Sequence, residues 1–280
     1  MQRNTIAGLV VVACLVTAAA AETRKEFRFT VGPKANIVVD NEYGAITVKP
    51  GSASQVVVVA VLHSDKVEVD NSHEGDRLEI ESHLLKGADP QSGRVDYELT
   101  VPPNVPLNLR SSTGPISVEH TQGDLTLEGA DAAVNVHGVS HCHVHVKTMS
   151  GNVTLADVND GHVEIDSISG EVRLNSVTGP HVQVDSGTGK VFYDGTFGSS
   201  GSYTFTTHTG DIEALVASDA SADFSARSMQ GYVKSDVPLK PKEHNRFPTE
   251  MGRSFFGTVG KAASEVVLKS ISGTIRLKYR

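Results

Sequence analysis

The sequence is poor in aromatic residues and in cysteine. It has no tryptophan, its aromatic content is 5%, and Cys14 and Cys142 are its two cysteines. A framework of several disulfides is therefore excluded, so stability must come from the apolar core. What the chain does contain is short runs of Val, Ile and Leu together with 26 glycines. This composition is typical of many short strands joined by tight corners, so we predict an all-β protein.

The chain also lacks an excess of positive charge. Its 25 Lys and Arg residues face 33 Asp and Glu residues, which gives a formal net charge of −8. Nucleic acids and anionic lipid surfaces call for a basic partner. We therefore expect no nucleic-acid partner, and no anionic membrane surface as the main partner.

The first 21 residues have the pattern of a secretory signal peptide. One cation, Arg3, precedes an apolar run from Ile6 to Ala21 that ends in four alanines. We predict cleavage after Ala21, which would leave Cys142 without an intramolecular disulfide partner and the mature chain without a membrane-spanning segment. Two alternatives are a membrane anchor and lipidation at Cys14, because residues 11–14 resemble a lipoprotein box. The predicted location is the periplasm, the cell surface or the exterior.

A motif that recurs every nineteen residues dominates the centre of the chain. Residues 148–155 read TMSGNVTL, residues 167–174 read SISGEVRL and residues 186–193 read SGTGKVFY. Between them, 161–166 (GHVEID) is answered by 181–185 (HVQVD). Each unit therefore holds two alternating runs separated by turn residues, which is typical of stacked repeats. Further copies lie at 112–118, 131–136 (without its glycine), 207–212, 228–233 and 270–277.

We predict an elongated β-solenoid, similar to a single-stranded β-helix, of stacked parallel coils. The period is about 19–21 residues with two short strands per coil. Each strand is expected to pair with its equivalent in the next coil. At each corner, the glycine is interpreted as a site where φ can be positive, and the preceding Ser or Thr as a residue that bonds local backbone.

The repeats divide the chain into regions. After the signal peptide (1–21), residues 22–110 are expected to form a less regular β region that is continuous with the solenoid. Residues 111–235 hold the regular repeats, and 265–280 hold a final repeat strand. Between these, 236–264 interrupts the pattern with prolines, several basic residues and a Phe-Phe pair. We interpret it as an end cap or loop packed on the last coils; the alternative is a partner-binding loop.

The run of [Ser/Thr]-x-[Ser/Thr]-Gly-x-[Val/Ile]-x-[Leu/Val] units behind a signal peptide and a Val-Pro-Pro segment (101–103) resembles the bacterial "putative-adhesin" family of toast-rack type. The resemblance covers roughly residues 27–277 and is strongest from 111 to 231. It implies an exported β-strand-repeat protein from a domain family of unknown function. It brings no catalytic motif and no cofactor. The copy at 131–136 and the insertion before Gly273 depart from the pattern.

A cluster of histidines is the sharpest chemical feature. In the sequence HCHVH (141–145), alternation turns Cys142 inward and the histidines outward. The nineteen-residue register then stacks His143, His162 and His181 on one outer face and places His145 beside Glu164. The grid of His143, His145, His162 and Glu164 is chemically suited to Zn²⁺ or Cu²⁺. The alternative is a solvated polar ladder without metal, and no metal ligand is assigned.

No catalytic constellation emerges, and no catalytic or cofactor-binding residue is assigned. The segment 186–190 (SGTGK) resembles the end of a phosphate loop, but Val184 stands where its first glycine belongs, so we interpret it as a repeat corner. The leading hypothesis is a non-enzymatic scaffold that contacts cell-envelope or extracellular polysaccharide or protein. The alternative is a polysaccharide lyase or hydrolase on a β-helix scaffold, whose acid/base pair would come from the outward carboxylates of residues 151–195, with Glu164 and Asp166 as the pair to replace in a test.

Overall fold

A computed structural model describes residues 22–240 and 252–280. The predicted signal peptide, residues 1–21, and Cys14 lie outside this part of the chain. The described residues are all-β as predicted and form two sheets of twelve strands each, most of them parallel. A short 3-10 helix, Pro90–Gly93, is the one helical element in these ranges.

The first sheet contains, in spatial order, β1 (Thr23–Thr30), β4 (Gln55–Leu62), β7 (Val95–Val101), β3 (Ile46–Pro50), β9 (Ile116–Glu119), β11 (Val134–His137), β13 (Val153–Val158), β15 (Val172–Val177), β17 (Val191–Gly195), β19 (Ile212–Val216), β24 (Ile275–Tyr279) and β21 (Val233–Ser235).

The second sheet contains, in spatial order, β5 (Val67–Glu74), β6 (Arg77–Leu84), β2 (Asn36–Tyr43), β8 (Leu107–Thr113), β10 (Leu125–Gly129), β12 (His143–Thr148), β14 (His162–Ser167), β16 (His181–Ser186), β18 (Ser202–Thr207), β23 (Ser264–Ser270), β20 (Ala222–Ser228) and β22 (Ser254–Val259).

Each regular coil contributes one strand to the second sheet and then one to the first. Period-two alternation turns every second side chain inward, so in the β12–β13 coil Val144, Val146, Val153 and Leu155 are at most 1% exposed. These residues belong to one core cluster that runs through the whole stack. The two predicted strands per coil and the parallel stacking are confirmed for the regular repeats.

The expected order of coils is wrong at both ends. Coils follow one another in sequence order from β8–β9 to β18–β19. The last repeat in the sequence, β23–β24, instead inserts between β18–β19 and β20–β21. Near the start, the β6–β7 coil lies outside the earlier β2–β3 coil. The motif is similar in every coil, so it predicts that coils stack through parallel strand pairs but does not predict which coil lies next to which.

The two ends also depart from purely parallel pairing. β1 and β7 flank β4 antiparallel, β5 is antiparallel to β6, and β22 is antiparallel to β20. Parallel coils would leave unpaired backbone groups at each end, and these strands cover three of the four sheet ends, whereas the first sheet ends, within the described residues, in the parallel strand β21. Of the insertion at 236–264, residues 254–259 form the terminal strand β22, where Phe255 is buried and Phe256 is exposed.

A buried hydroxyl group recurs at the corner where most of the coils leave the second sheet; in the β10–β11 coil the position is Gly129. The Ser186 hydroxyl donates to the Gly189 carbonyl (3.2 Å) and accepts from the Gly189 N–H (3.1 Å). The predicted bonding to local backbone is therefore found at the first Ser or Thr of the motif, three residues before the glycine, whereas Ser169, directly before Gly170, bonds Met149 O of the neighbouring coil. We call this set of buried hydroxyls the hydroxyl ladder; in spatial order it comprises Ser111, Thr148, Ser167, Ser186, Thr207, Ser270 and Ser228.

The corner glycines form a second ladder, but positive φ explains only part of it. Gly44, Gly114 and Gly170 have φ near +110°. At the other corner glycines that interpretation is wrong, because their φ is not positive. A Cβ atom on Gly189, for example, would overlap the Gly170 carbonyl oxygen of the preceding coil. Glycine is required there because neighbouring coils approach closely. The same overlap with a neighbouring backbone carbonyl is found at Gly151, Gly210, Gly231 and Gly273.

Candidate binding face of the second sheet

The outer face of the second sheet carries the predicted histidine grid. Strands β12, β14 and β16 are parallel neighbours, and their pairing aligns His143 with His162 and His162 with His181. The same pairing sets His145 beside Glu164. The predicted stacking of residues nineteen apart is therefore confirmed. Cys142, which directly precedes β12, is 4% exposed, as expected of a small buried apolar residue.

Two histidines of this face are in direct contact. His143 Nε2 lies 3.1 Å from His162 Nδ1, and the rings meet edge to face with centroids 4.7 Å apart. Asp124 Oδ1 accepts the His143 backbone N–H at 2.9 Å and lies 3.3 Å from His143 Nδ1. The ring of His181 is farther away, at 6.0 Å from that of His162. The result is a short chain from Asp124 through His143 to His162.

The other half of the grid is looser. His145 Nδ1 lies 3.6 Å from Glu164 Oε2, and its Nε2 lies 3.8 Å from Asp166 Oδ2. Both separations are longer than a hydrogen bond. Within residues 22–240 and 252–280, no group of three or more His, Cys, Asp or Glu side chains is placed to hold a metal ion. The four grid residues therefore divide into two pairs and do not form one cage.

Two sequence features have no chemistry of their own. Burial raises the pKa of the Cys142 thiol to about 11, with the nearby Asp124 carboxylate adding to the shift. A thiol with this pKa is largely protonated and inert at neutral pH. Residues 186–190, which resemble the end of a phosphate loop, form an ordinary corner of the hydroxyl ladder.

Beside the grid lies a feature that the repeat pattern did not reveal. A groove of about 740 Å³ follows the corner where β8, β10, β12, β14, β16 and β18 end. Met149 and Ile168 line it and are 57% and 61% exposed. Its charged side includes Arg110 and Glu128, which pair at 2.6 Å. Further lining residues on the charged side are Lys147, Asp166 and Asp185.

The groove is built by equivalent positions of successive coils. One side of the groove is lined by the last outward-facing residue of each strand. The other side, which includes Met149 and Ile168, is lined by the second residue of the [Ser/Thr]-x-[Ser/Thr]-Gly motif. Met149 and Ile168 stand at this x position, where the motif alone suggests a spacer. A turn residue is normally polar or small, so apolar residues at this position were the available signal. Met229 and Ile271 occupy the same position in two other copies.

Only short turns border the groove in the regular coils. The connections at 149–152, 168–171, 187–190 and 208–211 each join a strand of the second sheet to one of the first. Their backbone bonds to the neighbouring coil: the Met149 N–H donates to Gly129 O and the Ile168 N–H to Thr148 O. The groove is therefore an open channel with walls fixed by coil-to-coil hydrogen bonds.

Comparison with known proteins assigns a family. The sequence model of the family described as Toastrack DUF4097 matches residues 35–278. No curated protein matches the sequence. Among solved structures, one described as a "putative cell adhesion protein" from Clostridium sporogenes is similar at 13% identity with a TM-score of 0.29. That match covers 92% of this chain and 100% of the other. Within the described residues, no helix is long and apolar enough to cross a membrane.

Proposed function

The chain belongs to the toastrack DUF4097 family, and from that premise we propose that it is an exported, non-enzymatic, adhesin-like scaffold. In this proposal the groove along the second sheet binds a linear polymer of the cell envelope or the extracellular space. The observation that carries it is the exposed pair Met149 and Ile168 in a channel that crosses successive coils.

The geometry of a parallel stack suits a linear ligand. Equivalent positions in neighbouring strands lie about 4.8 Å apart, so a chain that follows the groove meets one residue of each wall at every coil. Apolar side chains on one wall offer contact area, and charged groups on the other wall offer orientation. A compact small molecule would use only one or two of these repeated positions.

Two features favour a scaffold over an enzyme. Glycoside hydrolysis needs two carboxyl groups held across a bond in a cleft. The side chains of Glu164 and Asp166, the candidate acid/base pair, are 55% and 57% exposed on the outer face of the sheet. In the part of the chain that the structure describes, the groove that Asp166 lines is bordered in its regular coils by four-residue turns, which are too short to close over a substrate.

The binding proposal is tested with the purified protein on peptidoglycan, a glycan array and extracellular-matrix proteins. We expect saturable binding to at least one polymer and its loss in the Met149→Glu variant. Met229→Glu is a matched control, because Met229 is also 57% exposed at an equivalent corner but does not line the groove. Binding to none of these polymers, or equal loss in both variants, would contradict the proposal.

The enzymatic alternative is tested on a broad polysaccharide panel by measuring newly formed reducing or unsaturated ends. We expect no bond cleavage. Cleavage that disappears in the Glu164→Gln, Asp166→Asn double variant would replace the scaffold proposal with a lyase or hydrolase.

Export is proposed from the pattern of residues 1–21 and is tested in cells. Fractionation followed by mass spectrometry of the mature N-terminus is expected to find the protein in the envelope or medium and beginning at Glu22. An N-terminus at lipidated Cys14 would instead indicate a lipid anchor, and an uncleaved cytoplasmic protein would contradict export.

A further inference from the structure

The contact between His143 and His162 brings two imidazole nitrogens to nearly the spacing of two ligands of one ion. Their facing nitrogens are 3.1 Å apart. A tetrahedral ion that binds imidazole nitrogen at about 2.0–2.1 Å places two such nitrogens about 3.3–3.4 Å apart. An opening of a few tenths of an ångström, together with a rotation that turns both ring nitrogens toward one point, would therefore admit an ion in place of the direct contact between these nitrogens. From this geometry, we propose that His143 and His162 form a surface site for a Zn²⁺- or Cu²⁺-type divalent ion.

The surroundings of His143 fit this role. A histidine that binds a metal usually donates its other ring N–H to a carboxylate, which fixes the ring and raises its basicity. Asp124 Oδ1 lies 3.3 Å from His143 Nδ1, the nitrogen away from His162. The same carboxylate is fixed by the His143 backbone N–H at 2.9 Å. Asp124 is therefore placed to hold the ring with Nε2 directed at the ion.

The fold holds the two rings at this spacing. His143 and His162 are aligned partners in the parallel pair β12–β14, which continues for five further residue pairs. The His143 side chain is 68% exposed, so the side of the ion away from the protein is open. Two protein nitrogens and water would complete the coordination. This makes an open site at which an oxygen or nitrogen atom of a bound molecule could replace a water.

A second histidine pair provides a matched contrast within the same protein. His120 and His137 also belong to neighbouring coils, and their ring centroids lie 5.3 Å apart. Their nitrogens are directed elsewhere: His137 Nδ1 faces Asp157 at 3.3 Å, and His120 Nδ1 packs against Gly138. Both pairs therefore have their rings close together. In the pair His143 and His162, in addition, two ring nitrogens face each other and the Asp124 carboxylate lies beside the other nitrogen of His143.

The site is tested by calorimetric titration of the purified protein, prepared without a histidine tag, with Zn²⁺ and with Cu²⁺. We expect one saturable equivalent that is lost in His143→Ala and in His162→Ala. In Asp124→Asn the affinity is expected to fall by about tenfold or more. His137→Ala is expected to bind like the unchanged protein, and circular dichroism of each variant checks that the fold is kept.

Absence of saturable binding, or binding that survives both His143→Ala and His162→Ala, would overturn the proposed site. A loss that is equal in His137→Ala would also overturn it, since it would show a diffuse effect of surface histidines. The result is independent of the groove proposal, because neither Met149 nor Ile168 takes part in the site.

Discussion

Two kinds of corner occur side by side in the stack. In the β16–β17 coil, Ser186 of the hydroxyl ladder bonds the backbone of Gly189. In the β10–β11 coil, the equivalent positions are Gly129 and Ala132, so both members of the pair are replaced together. The comparison shows that the repeat specifies a combination of two residues at each corner and not two independent preferences.

The space at each corner explains the combination. A Cβ atom placed on Gly129 would lie 3.0 Å from the Ala132 methyl, which is fully buried. Ala132 thus occupies room that a hydroxyl-bearing side chain uses in other coils. In corners that have the hydroxyl, the residue three positions later is glycine, and the hydroxyl forms hydrogen bonds with the backbone of the turn. One corner is filled by a methyl group and the other by a hydrogen-bonded hydroxyl.

The largest effect is expected from filling a glycine position in a hydroxyl corner. In Gly189→Ala the new methyl overlaps the Gly170 carbonyl, and backbone of the neighbouring coil cannot move aside without separating the coils. We expect a loss of at least about 3 kcal/mol in the free energy of unfolding, measured by chemical denaturation. The control is Gly32→Ala, where the nearest atom to the new methyl would be 3.7 Å away. Equal effects at both sites would contradict the close-approach explanation.

A smaller effect is expected from removing the hydroxyl. Ser186→Ala leaves the Gly189 N–H and carbonyl at a buried corner without this partner. We expect a loss of about 1–2 kcal/mol in the same measurement. Ser202→Ala, at an exposed position of β18, serves as the control and should change stability by less than about 0.5 kcal/mol. An unchanged stability in Ser186→Ala would show that the ladder hydroxyls do not support the corners.

The smallest effect on stability is expected on the outer side of the corner. Ile168 is 61% exposed, so Ile168→Ser should alter the free energy of unfolding by no more than about 0.5 kcal/mol. The same variant should weaken polymer binding, because it removes apolar contact area from the groove. A large loss of stability would indicate that the exposed side chain packs on the solenoid and is not free to bind.

Much of this architecture could be predicted from the sequence because it depends on local alternation. The inward residues, the outward histidine row and the alignment of residues nineteen apart all follow from the period. The position of β23–β24 between two earlier coils does not follow from the period, because the motif of this coil is like that of the others. The period also does not predict how the side chains are oriented. The register places His143, His145, His162 and Glu164 near one another, but the orientation of the rings separates them into two pairs, His143 with His162 and His145 with Glu164.

The groove escaped prediction for a related reason. Met149 and Ile168 each stand alone between polar residues, and no run of apolar residues marks a surface in the sequence. They become neighbours only when coils stack. The signal becomes visible when the residues at the x position of successive copies of the motif are compared with one another. These residues are distant along the chain but are neighbours across coils.

The central claim, that each corner is specified as a matched pair, is tested most directly by a double-mutant cycle at the exceptional corner. Gly129→Ser alone should destabilise the protein by about 1–3 kcal/mol through crowding against Ala132. Adding Ala132→Gly recreates the common Ser–Gly corner and should recover most of that loss, with a coupling energy of at least about 1 kcal/mol by chemical denaturation. Effects that add to within about 0.3–0.5 kcal/mol would contradict the claim.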